Sequence, residues 1–210
     1  MLSPKSAFHG APLAVAMLRR TLALVILAAV LAAGCASNTT TPTPTTTPTG
    51  GDTNATGDGL FVKVVSTKGT FVMQLQPELA PLTVAHIQAL VKQKFYDGIP
   101  FHRYVADFVI QGGDPNCKPS VTAADCGAGG SGTTVPAEFK GKHDYGAVGL
   151  ARASDPNSGD SQYYIVNNPS GDHGLDGQYC VFGKVVSGMD NVMLLRQGDV
   201  MLSVTLQSSA

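Results

Sequence analysis

Arg103 and Gln111 flank Phe108, Val109 and Ile110, so one short stretch carries a permanent cation, an amide and an apolar surface. A guanidinium offers five donors in a rigid fork and never loses its charge, while a glutamine amide supplies a donor and an acceptor together. Neither group is a nucleophile. The chemistry they suit is the holding and turning of a peptide bond without cutting it. Alternation over residues 101–110 reads as one strand, which Gly112 and Gly113 end, and Arg103, Phe108 and Gln111 can then share a wall. A bare Phe-His-Arg would be read more simply as a surface strand with a solvated Arg and a core Phe. The longer string changes that reading.

Taken whole, FHRYVADFVIQGGDP (101–115) resembles the signature of the cyclophilins, the family of peptidyl-prolyl cis/trans isomerases. Upstream, STKGTFVMQLQPELAPLTVAHIQALVKQKFYDGIPFHR is similar to the family's opening hairpin, first helix and lead into the signature. Downstream, GAVGLARASDPNSGDSQYYIV and LDGQYCVFGKVVSGMDNV are similar to its two remaining blocks, in the same order and at compatible spacing. The resemblance covers residue 60 to the C-terminus. It implies a mainly β fold, a closed eight-stranded antiparallel β-barrel capped by two α-helices, with a substrate groove on the outer wall.

Turning an X-Pro bond means rotating an amide against a barrier of roughly 18–20 kcal/mol. At the perpendicular geometry the prolyl nitrogen regains its lone pair and accepts a hydrogen bond that the planar form cannot. A cation placed there favours the transition state over the ground state. The resemblance gives Arg103 this role. A charged donor contributes roughly 1.5–3 kcal/mol, or about 10- to 150-fold, so positioning must supply the rest. By matching position, Phe108, Val109, Tyr164 and Leu175 form the pocket for the proline ring, and Gln111 bonds the substrate backbone. Ala151 and Arg152 fall where the family pairs main chain and a polar side chain with the extended peptide, and Gly127 and Gln162 lie at further groove positions. No metal, nucleotide or other cofactor is implied.

Four positions depart from well-studied eukaryotic members: Gly174 stands for Trp, Tyr179 for His, Tyr164 for Phe and Val109 for Met. A tyrosine keeps the ring and adds a hydroxyl that needs a partner. Loss of the indole argues against cyclosporin binding and leaves proline isomerisation in place.

Around these motifs, residues 60–65 and 70–75 alternate about Lys68 and Gly69 as a hairpin, and Pro81 opens a helix on which Val84, Ile87 and Val91 recur before Asp97 and Gly98 turn the chain. His86 on this helix reads as a boundary residue. Further short strands are expected at 147–151, 163–166, 179–185 and 200–207, with a short helix over 189–195. Pattern alone leaves sandwich and barrel open.

Ahead of this region, Met17-Leu18-Arg19-Arg20 precedes an apolar run over 21–33, too short to span a bilayer, which takes roughly 20 residues. Residues 1–34 are expected to be a secretory signal peptide, with Met17 a candidate true start. Leu31-Ala32-Ala33-Gly34-Cys35 resembles the lipobox of bacterial lipoproteins, making Cys35 the lipidation site and the first mature residue. Residues 35–59, rich in Thr and Pro, form a tether with too little apolar surface to fold. Its reach lies between roughly 30 Å as a coil and roughly 70 Å when extended. The isomerase-like domain is then 60–210. The expected location is extracytoplasmic, in the cell envelope, with lipid as the sole membrane contact. Ala36 lacks the Asp that retains lipoproteins at the inner membrane, which points to the outer membrane in a Gram-negative cell.

With 210 residues, net charge −1 and no Trp, the chain fits one domain plus extra sequence and shows no basic stripe for nucleic acid. A monomer is expected. His102, His143 and His173 with the cysteines lack metal-ligand spacing. Asp155, Asn157, Gly159 and Asp160 hint at a calcium loop, but Val166 occupies the twelfth position where glutamate is required. Cys117 and Cys126 bracket what looks like an insertion relative to many bacterial cyclophilins, and in an oxidising compartment a disulfide between them is expected. Cys180 is expected to be a buried free thiol. Two functions follow: an isomerase acting on proline-containing segments of exported polypeptides, or a non-catalytic module that holds such segments in the same groove.

Overall fold

A computed structural model describes residues 59–210; the expected signal peptide, the lipidation site Cys35 and nearly all of the tether lie outside the described residues. Among the described residues no helix is long and apolar enough to cross a membrane.

Strands β1 (Phe61–Ser66) and β2 (Gly69–Leu75) pair as the expected hairpin. Ser66 closes the turn, its hydroxyl donating to Gly69 O at 2.8 Å and accepting from Lys68 N at 3.2 Å. Helix α1 (Pro81–Lys92) begins at the proline, whose missing N–H costs nothing in a first turn. Its N-cap, Ala80, has no side-chain acceptor. Glu138, from a distant loop, takes the Leu82 N–H at 3.1 Å, the Thr83 N–H at 2.9 Å and the Thr83 hydroxyl at 2.8 Å. Thr83, Val84, Ile87, Leu90 and Val91 recur at helical spacing and are buried against the sheet.

Residues 101–110 are two strands, not the single one that alternation suggested. Strand β3 (Phe101–Val105) turns back into β4 (Val109–Gly112), with Asp107 at φ 53° in the left-handed region that short polar residues tolerate best. Then follow β5 (Ala147–Leu150), β6 (Tyr163–Val166), β7 (Cys180–Ser187), α2 (Met189–Leu194) and β8 (Met201–Gln207). All ladders are antiparallel, in the order β3-β4-β6-β5-β7-β2-β1-β8.

The sheet is curled but open, which corrects the expectation of a closed barrel. Its end strands β3 and β8 share no ladder; one isolated bridge, Pro100 to Val200, joins the residues that lead into them. The cause is local: β8 spends its free edge on the turn before β3. Met201 N donates to Ile99 O at 3.0 Å, Gly98 N donates to Met201 O at 2.7 Å, and Val204 N is taken by the Asp97 carboxylate at 2.8 Å. Pro100 has no N–H to extend the seam.

Strand alternation separates two apolar clusters. Val62, Val64, Phe71, Ile110, Val148, Ile165 and Phe182 face the main core with α1. Val109, Ala147, Tyr164, Val166 and Val181 face the other way and gather Phe108, Leu175 and Tyr179 over them. The second face carries the site.

Candidate active site

Pairing register builds the site as a row across five strands. Arg103 lies opposite Gln111, Gln111 opposite Tyr164, Tyr164 opposite Gly149, and Gly149 opposite Val181. A cation, an amide and an aromatic ring thus lie side by side. Gly149 is what makes room for the ring, since a Cβ there would sit 2.3 Å from Tyr164 Cζ. A glycine inside a strand is a sequence signal of such close approach.

Along this row runs a cleft of about 270 Å³ lined by Arg103, Phe108, Val109, Gln111, Ala151, Arg152, Tyr164, Leu175 and Tyr179. Gly127 and Gln162, the remaining expected groove residues, line an adjoining hollow of about 420 Å³ that shares Gln111, Ala151 and Arg152 with it. Val109 and Tyr164 form a buried floor; Phe108, Leu175 and Tyr179 are half-buried walls. Leu175 is placed by a 3₁₀ turn, His173–Leu175, whose middle residue Gly174 is exposed.

At the rim, Arg103 is exposed with Cζ 5.4 Å from the Phe108 ring centroid, and its Nη1 makes one long bond of 3.4 Å to Gln111 Oε1. Most of its donors face the cleft or solvent. The Gln111 amide is oriented by a chain of groups that admits one assignment. Gln162 Nε2 donates to Gly129 O at 2.8 Å and Gly127 O at 3.0 Å, both acceptors only. Gln162 Oε1 must therefore take Gln111 Nε2, at 2.9 Å, and Gln111 Oε1 is left facing Arg103 and the cleft. Asp114, buried under the loop, accepts Gly127 N at 2.6 Å, Gly129 N at 2.9 Å and Asn116 N at 2.8 Å.

Arg152 is disposed differently. Its Nε and Nη2 donate to Gln178 O at 3.1 and 3.0 Å, its Nη1 donates to Ala153 O at 2.9 Å, and the guanidinium stacks 4.5 Å from the Tyr179 ring centroid. It braces the 173–179 loop, and the Ala151 N–H is already given to Gln162 O at 2.9 Å.

Beneath the cleft lies a group that sequence reasoning missed. Tyr164 Oη is 3.0 Å from His143 Nε2, and His143 Nδ1 is 3.0 Å from Asp176 Oδ1. Burial alone would raise the Asp176 pKa, but hydrogen bonds from the side chain and backbone of His143, and from Lys142 and His173, outweigh it and hold the carboxyl below its ordinary range. An ionised Asp176 only accepts, so His143 presents an Nδ1 proton to it, while Nε2 pairs with the Tyr164 hydroxyl. Burial pushes the Tyr164 phenol well up, and it stays neutral. The one available signal was Tyr at position 164, whose hydroxyl had to find a partner.

Cys117 and Cys126 form the expected disulfide, and Cys180 is buried and free. Its thiol is pushed up to about 11 by burial, against a hydrogen bond with Thr83, and is inert. Among the described residues, the metal-ligand types that gather are His102 with Cys117 and Cys126, but the two sulfurs are bonded to each other. His86 is half-buried beside Asp160 Oδ1 at 3.3 Å, and Asp155 caps its own turn through Asn157 N at 2.9 Å.

A curled antiparallel sheet whose outer face carries a part-apolar cleft, rimmed by an arginine and an oriented amide, offers the apolar and hydrogen-bonding groups that suit an extended polypeptide. The cyclophilin type peptidyl-prolyl cis-trans isomerase/CLD family model matches residues 61–208. A probable peptidyl-prolyl cis-trans isomerase of Brucella suis is 44% identical over 137 residues, which is 62% of this chain and 68% of that protein. Peptidyl-prolyl cis-trans isomerase B of Bacillus subtilis is 40% identical over 64% of this chain and 88% of its own length. A Cryptosporidium parvum cyclophilin, crystallised in the presence of the dipeptide Ala-Pro, superposes with TM-score 0.62 at 26% identity, covering 71% of this chain and 99% of that one. The fold of a Hirschia baltica cyclophilin is shared at TM-score 0.61 and 24% identity, over 72% of this chain and 75% of that one. The chain belongs to the cyclophilin-type peptidyl-prolyl cis-trans isomerase family.

Proposed function

We propose how this isomerase turns its substrate and where it does so. The proline ring sits on Val109 and Tyr164 between Phe108 and Leu175, with Tyr179 closing the wall. Gln111 Oε1 accepts from a substrate N–H. Arg103 donates to the prolyl nitrogen as it leaves planarity, contributing about 1.5–3 kcal/mol. The observation that carries this reading is the convergence of Arg103, Phe108 and Gln111 on one cleft, with the Gln111 amide fixed before substrate arrives. Arg152 contributes as a wall and a brace, because its donors are engaged by backbone carbonyls.

The substrates are proline-containing segments of exported polypeptides, and the domain meets them from a lipid-anchored tether in the cell envelope, as a monomer. Support comes from the lipobox ending at Cys35, the Thr/Pro-rich 35–59 segment and the Cys117–Cys126 disulfide. Cyclosporin is a poor ligand, since Gly174 leaves the position of the indole empty of side chain.

Exchange spectroscopy on a short Ala-Pro peptide tests the activity: faster cis/trans exchange is expected, and binding without acceleration would make the domain a holding module instead. Replacing Cys35 by Ser should release the full chain from membranes; a protein that still sediments with them would end the lipid-anchor reading.

A further inference from the structure

The insertion between Cys117 and Cys126 is joined to the groove by more than sequence proximity. Cys126 directly precedes Gly127, whose N–H is held by Asp114 and whose carbonyl, with that of Gly129, fixes the amide of Gln162 and so that of Gln111. On its other side the disulfide faces a histidine. One imidazole nitrogen of His102, Cys117 Sγ and Cys126 Sγ all lie within 4.8 Å of one another. His102 is only 9% exposed, and its Nδ1 is buried without a hydrogen-bond partner.

An imidazole beside a disulfide gains a hydrogen-bond partner when the disulfide is reduced. In the oxidised state neither sulfur offers a proton or a charge to the imidazole; in the reduced state a thiol can donate to it, or a thiolate accept from it. The two cysteines are also unequal. Cys117 is 1% exposed, whereas Cys126 is half-buried and the more accessible of the two. Burial lowers the His102 pKa, opposed by the charge of Asp114 and helped by the smaller effect of the Arg103 cation, and keeps the ring neutral.

We infer that Cys117–Cys126 is an exchangeable redox site that takes thiol reductants, with His102 as its proton partner, and that its state sets how firmly the groove holds substrate. A reductant thiolate attacks Cys126 Sγ, the Cys126–Cys117 bond breaks, and Cys117 leaves as a thiolate beside His102. A second reductant thiol then attacks the mixed disulfide. The sum is two RSH plus the protein disulfide giving RSSR plus two protein thiols, so two electrons and two protons enter the pair. Opening the ring leaves Gly127 N and Gly129 N on Asp114 but removes the covalent constraint at Cys126, next to Gly127, so the carbonyls that fix Gln162, and through it Gln111, are held less firmly, whereas Arg103 is untouched. Reduction should thus raise KM by roughly three- to tenfold and leave kcat nearly unchanged.

The groove half of this inference rests on the isomerase reading; the redox half does not. Full-length protein equilibrated in glutathione buffers, trapped by alkylation and read by mass spectrometry, gives the midpoint without any turnover assay. Interconversion within the glutathione range is expected, with Cys180 alkylated only after denaturation. Replacing His102 by Phe removes that partner of the reduced pair and should make the disulfide about tenfold harder to reduce. A pair that stays oxidised in every glutathione buffer, or a folded His102→Phe protein with an unshifted midpoint, overturns the exchangeable site. If His102→Phe does not fold, the wild-type midpoint decides alone. The Cys117→Ala/Cys126→Ala protein should match the reduced wild type in KM, and equal KM in oxidised and reduced protein would overturn the coupling.

Discussion

Tyr164 shows how a single residue is made to serve as a pocket floor. Its ring needs the missing Cβ of Gly149, and its hydroxyl needs His143, which in turn needs Asp176. Replacing Tyr164 by Phe keeps the ring and strips the buried His143 Nε2 of its partner, so stability should fall by about 1–3 kcal/mol while kcat/KM stays within about threefold. Chemical denaturation and peptide exchange separate the two; a variant as stable as the parent would show that the hydroxyl bond has no net worth. The groove side chains were legible because they sit in contiguous motifs. His143 and Asp176 were not, because 33 residues separate them and only the folded chain brings a loop histidine under a strand tyrosine. As a sequence feature His143 suggested only a weak metal site.

At the scale of elements, two loops position the cleft. The turn after β4 needs Gly113, at φ +93° with Ser161 O only 2.4 Å from where a Cβ would lie. Gly113→Ala should cost about 2–4 kcal/mol, read from denaturant midpoints, and a loss under about 1 kcal/mol would mean the loop yields easily. The other loop is pinned by Asp176, whose folded pKa lies below its ordinary 3.8. A depressed carboxylate contributes stability that is complete above the unfolded value and fades as pH falls through the folded one. Asp176→Asn should accordingly be less stable than the parent near neutral pH, with the gap closing below about pH 4. Thermal melts across that range check the sign, and a gap that widens in acid would contradict it. Element boundaries were legible where Gly and Pro mark them. The 101–112 hairpin was not, because its turn residue, Asp107, interrupts the apolar alternation without breaking it.

For the molecule as a whole, motif order was enough to indicate a mainly antiparallel eight-stranded sheet with two helices. It did not reveal that the sheet stays open, because closure depends on which backbone groups β8 spends on the turn at 97–100. Cap and seam contacts of this kind join residues far apart in sequence and leave no local pattern. The disulfide was legible from compartment logic, whereas the histidine beside it was not. The result is a curled sheet that presents the groove with its cation at the rim and its amide held from behind. In the proposed mechanism Arg103 acts on the rotating bond and not on binding or folding. Measuring exchange of an Ala-Pro peptide by wild type and by Arg103→Ala, with the melting of both, tests it most directly. Turnover should fall at least about tenfold with stability unchanged within about 1 kcal/mol. Unchanged turnover in a folded Arg103→Ala protein would contradict it.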